Sequence, residues 1–184
     1  MLGSVLGVEH FGPQWRAQGD AMVGYVHVYT GDGKGKTTAA LGLALRAAGA
    51  GWKVFFAQFG KPAPSSECRA LERFADLIML RRFEAAYGDE DAAALALAEC
   101  REALISGDYR LVILDEANLG PTLQLFRFEA LLELIDVKAD DVELVITGRY
   151  AHRKVLERAD LVTEMRELKH YYRQGVLART GIER

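Results

Sequence analysis

In MVGYVHVYT (residues 22–30), Val26 and Val28 alternate with His27 and Tyr29. That period of two predicts a strand running into a glycine-rich turn. KTTAALGLALRAAG (36–49) is rich in helix formers and predicts a helix ending at Gly49 or Gly51. KVFFAQF (53–59) predicts a second strand, and SSECRALERF (65–74) a short helix behind a serine cap. LIMLRRF (77–83) predicts a third strand. GDEDAAALALAECREALIS (88–106) carries acids in its first turn and Gly107 at its end, which predicts a helix. RLVILDE (110–116) is a continuous apolar run closed by two acids, the pattern of a strand buried on both faces. FRFEALLELID (126–136) and AHRKVLERA (151–159) predict helices, and VELVITG (142–148) and DLVTEM (160–165) predict strands. The tail from Lys169 predicts two short extended segments around a glycine turn at Gly175.

Strands alternating with helices imply βαβ units, hence a mainly parallel sheet with helices on both faces. In such sheets ligands sit beyond the carboxyl ends of the strands. Three of those ends carry chemistry. The first is YTGDGKGKTT (29–38), where Gly31, Gly33 and Gly35 allow a tight turn whose N–H groups approach an anion. Lys36 starts the following helix and can reach phosphate oxygens, helped by the helix N-terminus. Thr37 is placed to put its hydroxyl on Mg²⁺, and Lys34 adds a second cation. Two lysines in a tight glycine loop repel each other unless an anion neutralises them. Thr30 stands where the P-loop pattern G-x-x-x-x-G-K-[ST] has its first glycine, and Gly31 can make the sharp turn one residue later. The expected architecture is therefore α/β, a P-loop NTPase (RecA-like) three-layer α/β/α fold with a mainly parallel sheet.

The second strand end is LVILDEAN. Asp115 and Glu116 stand where a Walker-B acid holds Mg²⁺ or its water, Asp115 being the first out of the strand. The third is ITGRYAHRK, where Arg149 offers a planar fork for phosphates or a nucleotide edge, or else pairs with a surface acid. His152, beyond it, reads as a structural histidine.

Composition narrows the picture. The 184 residues are 50% hydrophobic and 27% charged, as in one soluble globular domain. A net charge of −3 argues against a broad nucleic-acid footprint, and no apolar run is long enough to span a membrane. Residues 1–21 lack the pattern of a secretion signal and read as an N-terminal extension, with Phe11 and Trp15 as its aromatics, ahead of a domain at 22–184. A cytoplasmic location is expected by default. Cys68 and Cys100 form no C-x-x-C pair. Cys100 shares a helical stripe with Ala93, Ala96, Leu97 and Leu104 and reads as a small buried hydrophobe, and Cys68 as a reduced structural thiol.

Phosphate binding alone leaves a hydrolase with Glu116 positioning water, a small-molecule kinase, or a non-catalytic nucleotide-binding regulator open. The chain resembles the P-loop type of ATP:corrinoid adenosyltransferase over residues 22–183. The resemblance is carried by VYTGDGKGKTTAALGLALRAAGAGWKVFFAQFGK, LVILDEAN, ELVITGRYA, ADLVTEMRELKHYY and the closing GIE, in order. The family has the same threonine before its glycine loop. It implies attack by the cobalt(I) of a reduced corrinoid on the 5′ carbon of ATP, with triphosphate leaving. It also implies that Gly31, Asp32, Gly33, Lys34, Gly35, Lys36, Thr37 and Thr38 bind the triphosphate. Lys34 and Lys36 carry the catalytic charge, Thr37 with Asp115 or Glu116 serves Mg²⁺, and Arg149 and Gln58 lie at the nucleotide. A homodimer and a reductase supplying cobalt(I) are the implied partners. The chain departs from the family after the third strand. There LRRFEAAYGDE replaces a G-x-G-F segment, with Phe83 in place of the aromatic. FGKP, with Gly60 and Pro62, replaces FIKG.

Overall fold

The alternating periods become six strands and five helices in the computed structural model, which describes residues 23–60, 65–84 and 86–183. The strands are β1 (Val26–Thr30), β2 (Val54–Phe59), β3 (Ile78–Phe83), β4 (Leu111–Asp115), β5 (Glu143–Thr147) and β6 (Leu161–Glu164). The helices are α1 (Lys36–Gly49), α2 (Ser66–Leu71), α3 (Glu90–Ile105), α4 (Phe128–Val137) and α5 (Arg153–Arg158). One sheet orders them β3-β2-β4-β5-β1-β6, and every described pairing is parallel. The expected α/β architecture is thus present, in its all-parallel form.

Two cores explain the layers. On one face, α3, α4 and α5 pack Cys100, Leu104, Leu131, Leu134 and Val155 against Val28, Ala57, Leu114 and Ile146. On the other, α1 and α2 pack Ala40, Ala44, Ala47 and Leu71 against Phe56, Ile113 and Val145. Alanine at the buried apolar positions of α1 (Ala40, Ala44, Ala47 and Ala48) lets that helix lie close to the sheet while keeping the highest helix propensity. Every residue of β2 and β4 is buried, which is why their sequences show no alternation. At the opposite extreme, β6 forms an edge whose four residues are all exposed.

Parallel register sets the site. Tyr29 is level with Thr147, and Leu114 with Ile146, so the ends of β1, β5 and β4 bring Tyr29, Thr147 and Asp115 into one row, with Thr30 one residue beyond it. Gln58 on β2 is level with Asp115 and continues that row.

Some local expectations change. Ser65 occupies the N-cap position of α2 but its side chain makes no capping bond; its hydroxyl lies 3.7 Å from Cys68 Sγ instead. The cap of α3 is the aspartate before it, with Asp89 accepting from the Ala92 N–H at 3.0 Å. The first tail segment is a 3-10 turn (Tyr171–Gln174), not extended, although the glycine turn at Gly175 is present with φ of 83°. The expectations for residues 1–21, including Phe11 and Trp15, and for Pro62 fall outside the described residues. Phe83 packs on Phe59, ring centroids 5.3 Å apart.

Candidate functional site

Three elements build the phosphate cradle. After β1 the chain turns at Gly31 (φ 94°) and again at Gly35 (φ 126°), as expected of a turn begun one residue late. Both angles favour glycine. A second constraint was not legible in the sequence. The loop lies against the end of β6, and a Cβ on Gly31 would come within 2.4 Å of the Met165 carbonyl oxygen. The Gly33 N–H donates to that same oxygen at 2.7 Å. That donor is therefore used to pin the loop to the sheet rather than turned toward a ligand.

Lys36 opens α1. Its ammonium donates to the carbonyls of Gly31 (2.6 Å) and Gly33 (2.7 Å), which centres it in the loop. The side chain is 6% exposed. Burial pushes its pKa below the ordinary 10.5, and the nearby Arg149 acts in the same direction, while Glu116, Asp32 and Asp115 oppose. Among the described residues, no side chain caps the N-terminus of α1 and its first turn holds no acid, so the helix end presents its N–H groups and partial positive charge outward.

Behind the loop, the buried Asp115 carboxylate gathers three donors. Thr37 Oγ1 donates to Oδ1 at 2.9 Å, Thr147 Oγ1 donates to Oδ1 at 2.8 Å, and Gln58 Nε2 donates to Oδ2 at 3.3 Å. Thr147 also accepts the Glu116 N–H at 3.0 Å. This holds Glu116 in the left-handed region at φ 63°, a costly conformation for a non-glycine residue that turns the chain away from the strand direction. Gln58 is 1% exposed, and its Oε1 accepts from Cys68 Sγ at 3.7 Å. Gln58 thus sits behind Asp115 and is absent from the described wall of the cavity.

That cavity has a volume of about 760 Å³, within the range of small-molecule sites. Asp32 through Thr38 form one wall, and Glu116 and Arg149 another. Arg149 Nη2 donates to the Asp32 carbonyl at 3.3 Å. Tyr150, at φ 60°, is a second left-handed non-glycine residue on the same rim. Asp115 lies beneath this surface and Glu116 on it. The donors available to a cation are hard oxygens: the Thr37 hydroxyl, whose proton is directed at Asp115, and the Glu116 carboxylate. Among the described residues, no group of three or more histidine, cysteine or acidic side chains could enclose a metal unaided.

The remaining wall comes from residues that had no assigned role. His170, Gly181, Ile182 and Glu183 of the tail line the cavity, as do Ser66, Glu67 and Ala70 of α2. Lys34, exposed at the mouth, donates to Glu183 Oε1 at 2.9 Å and to the Tyr171 hydroxyl at 3.3 Å. Thr147 was also missed; the one available signal is a hydroxyl closing the apolar run Leu144–Ile146. His152 stays outside the cavity. It caps α5 through Nδ1, which accepts from the Lys154 N–H at 3.3 Å, and stacks on Phe128 with centroids 3.6 Å apart.

Comparison with known proteins matches the chain to one family. The family described as ATP:corrinoid adenosyltransferase BtuR/CobO/CobP matches residues 22–184. A corrinoid adenosyltransferase of Escherichia coli (strain K12) is 35% identical over 179 residues, covering 91% of this chain and 89% of the relative. Corrinoid adenosyltransferase CobA of Salmonella typhimurium (strain LT2) is 33% identical over 174 residues, with the same coverage of 91% and 89%. A corrinoid adenosyltransferase of Pseudomonas aeruginosa is 32% identical over 169 residues, covering 87% and 83%.

Proposed function

The chain belongs to the ATP:corrinoid adenosyltransferase family, and from that premise we propose that it moves the 5′-deoxyadenosyl group of ATP onto the cobalt(I) of a reduced corrinoid. Inorganic triphosphate is released, in the biosynthesis or salvage of adenosylcobalamin. The supporting observation is a two-lysine phosphate loop opening on a nucleotide-sized cavity. The cobalt(I) electron pair forms the bond to C5′. The C5′–O5′ bond breaks, and its electrons leave on the triphosphate. The substrate cobalt supplies the nucleophile, so the protein's work is to orient the two substrates, exclude water and stabilise the leaving group.

In this reading Lys36 and Lys34 face the charge that grows on the triphosphate. The loop from Asp32 to Thr38 and the first turn of α1 grip it along its length. One well-placed donor to such a charge is worth about 3–4 kcal/mol of barrier. Arg149 fixes the nucleotide from the opposite wall. Gly31 and Gly33 shape the loop, and Gln58 acts indirectly by holding Asp115. Thr37 and Glu116, with Asp115 behind Thr37, would hold Mg²⁺, which supplies countercharge to the phosphates when bound. Such a partial set of hard oxygens suits Mg²⁺, which normally completes its shell with phosphate oxygens and water.

Residues 22–184 form the adenosyltransferase unit in this account, with 1–21 as an extension. A homodimer, a cytoplasmic location and a separate reductase for the corrinoid complete the proposal, and no helix among the described residues is long and apolar enough to cross a membrane. The test is the product. Incubated with Mg-ATP and chemically reduced cobalamin, the protein should yield a light-sensitive adenosylated corrinoid and triphosphate in equal amounts. ADP and phosphate alone, at a rate indifferent to corrinoid, would identify a phosphoryl-transfer enzyme instead.

A further inference from the structure

The tail cluster around Lys34 has no part in the account above. Lys34 is a flexible side chain at the cavity mouth, 41% exposed. A lysine so placed normally spreads over many rotamers, and ordering it on a ligand costs up to about 2 kcal/mol. Here two of its three donors are already engaged, one by Glu183 Oε1 and one by the Tyr171 hydroxyl. Glu183 is itself fixed. The Arg179 N–H donates to its Oε2 at 2.8 Å, the Arg179 guanidinium reaches both carboxylate oxygens at 3.3 and 3.2 Å, and the Tyr171 hydroxyl donates to Oε1. Arg179 in turn lies over the Tyr171 ring, 4.8 Å from its centroid. Turns at Gly175 and Gly181, both in the left-handed region, fold the tail back so that Glu183 meets Tyr171.

We infer that Glu183 is a positioning residue: through its bond to Lys34 it locks the second loop lysine toward the cavity, so that the C-terminal segment is part of the triphosphate grip. The charges are consistent with this. One carboxylate against two cations leaves the cluster with one net positive charge, and Lys34 keeps one donor for a phosphate oxygen. The carboxylate also raises the Lys34 pKa above its ordinary 10.5, so the side chain stays charged. The inference rests on the reading that Lys34 binds the triphosphate, and the two can fail separately.

The experiment is calorimetric titration of the full chain with inorganic tripolyphosphate and with ATP, alongside steady-state kinetics with reduced cobalamin. Glu183→Ala should weaken both ligands about five- to twentyfold, within the cost of ordering one lysine side chain on a ligand, and raise KM more than it lowers kcat. Glu183→Gln keeps an accepting oxygen and should fall between. In a Lys34→Ala background, Glu183→Ala should add nothing further. Tyr171→Phe removes a single hydroxyl and should weaken binding to a smaller extent, which preserves the test if Glu183→Ala fails to fold. Unchanged or tighter binding by Glu183→Ala would overturn the inference, and tighter binding would mark Glu183 as a competitor of the polyanion. Equal weakening with and without Lys34 would also overturn it, by showing a structural role only. Parental binding by Lys34→Ala would remove both the inference and the reading beneath it.

Discussion

Thr147→Val probes the row of strand ends on which the site depends. The substitution deletes one hydroxyl and nearly keeps the shape, at a fully buried position. Two bonds are lost: the donation to Asp115 Oδ1 at 2.8 Å and the acceptance of the Glu116 N–H at 3.0 Å. A hydrogen bond to a charged group is worth about 1.5–3 kcal/mol, and stranding a partly buried N–H costs about 1 kcal/mol more. Burying a methyl in place of a hydroxyl returns about 1 kcal/mol. The net loss is about 1.5–3 kcal/mol, which for a chain of this size lowers the melting temperature by roughly 3–12 °C. Urea denaturation should show the same loss as a lower midpoint with unchanged slope. Function should respond as well, because Thr147 holds the backbone of Glu116 in its left-handed turn: the Mg²⁺ concentration needed for half-maximal activity should rise. A variant that melts within about 2 °C of the parent and keeps its Mg²⁺ dependence would refute the reasoning, since the hydroxyl would then link nothing.

Other perturbations address separate parts of the site. Lys36→Ala should lower kcat/KM by at least about a hundredfold in the adenosylation assay, and near-parental activity would mean the phosphate site is misplaced. In the proposed reading tripolyphosphate binding requires the Lys36 ammonium, whose pKa burial lowers; binding should therefore fall off with rising pH below 10.5, earlier than an ordinary lysine would allow. The stability linkage has the opposite sign. The folded chain sheds that proton first, so stability contributed through Lys36 rises with pH from its lowered pKa up to 10.5, and Lys36→Met should abolish that slope in denaturation curves. Gly31→Ala places a Cβ 2.4 Å from the Met165 carbonyl oxygen at φ 94°, so the urea midpoint should register a loss of about 2 kcal/mol or more. Cys68 and Cys100 are both buried, and burial raises the Cys100 pKa; an aromatic disulfide reagent should label neither thiol at neutral pH until the protein is unfolded.

Much of the architecture was readable because its signals are local. LVILD could be read as a doubly buried strand, and KTTAALGLALRAAG as a helix, from composition and period alone. The loop glycines announced an anion site through spacing. Strand order was not readable, since it depends on contacts between distant residues, those of β1 with β5 and β6 being more than a hundred positions apart. Everything that follows from order was hidden with it. Thr147 gains its role only because β5 lies between β1 and β4. Gln58 was expected at the nucleotide, yet its register opposite Asp115 places it behind that carboxylate. The Gly33 N–H was expected to face an anion, but β6 closes on the loop and takes it. Glu183 was visible only as part of a family block, because its partner Lys34 is 149 positions away.

The most direct test of the central claim follows one atom. ATP carrying ¹⁸O in the bridge between C5′ and the α-phosphorus is incubated with the protein and reduced cobalamin, and the released polyphosphate is analysed by mass spectrometry. Transfer to cobalt breaks the C5′–O5′ bond, so the account predicts triphosphate that retains the label and an adenosylated corrinoid without it. Label retained in ADP, with unlabelled phosphate as the other product, would show cleavage at phosphorus and contradict the account.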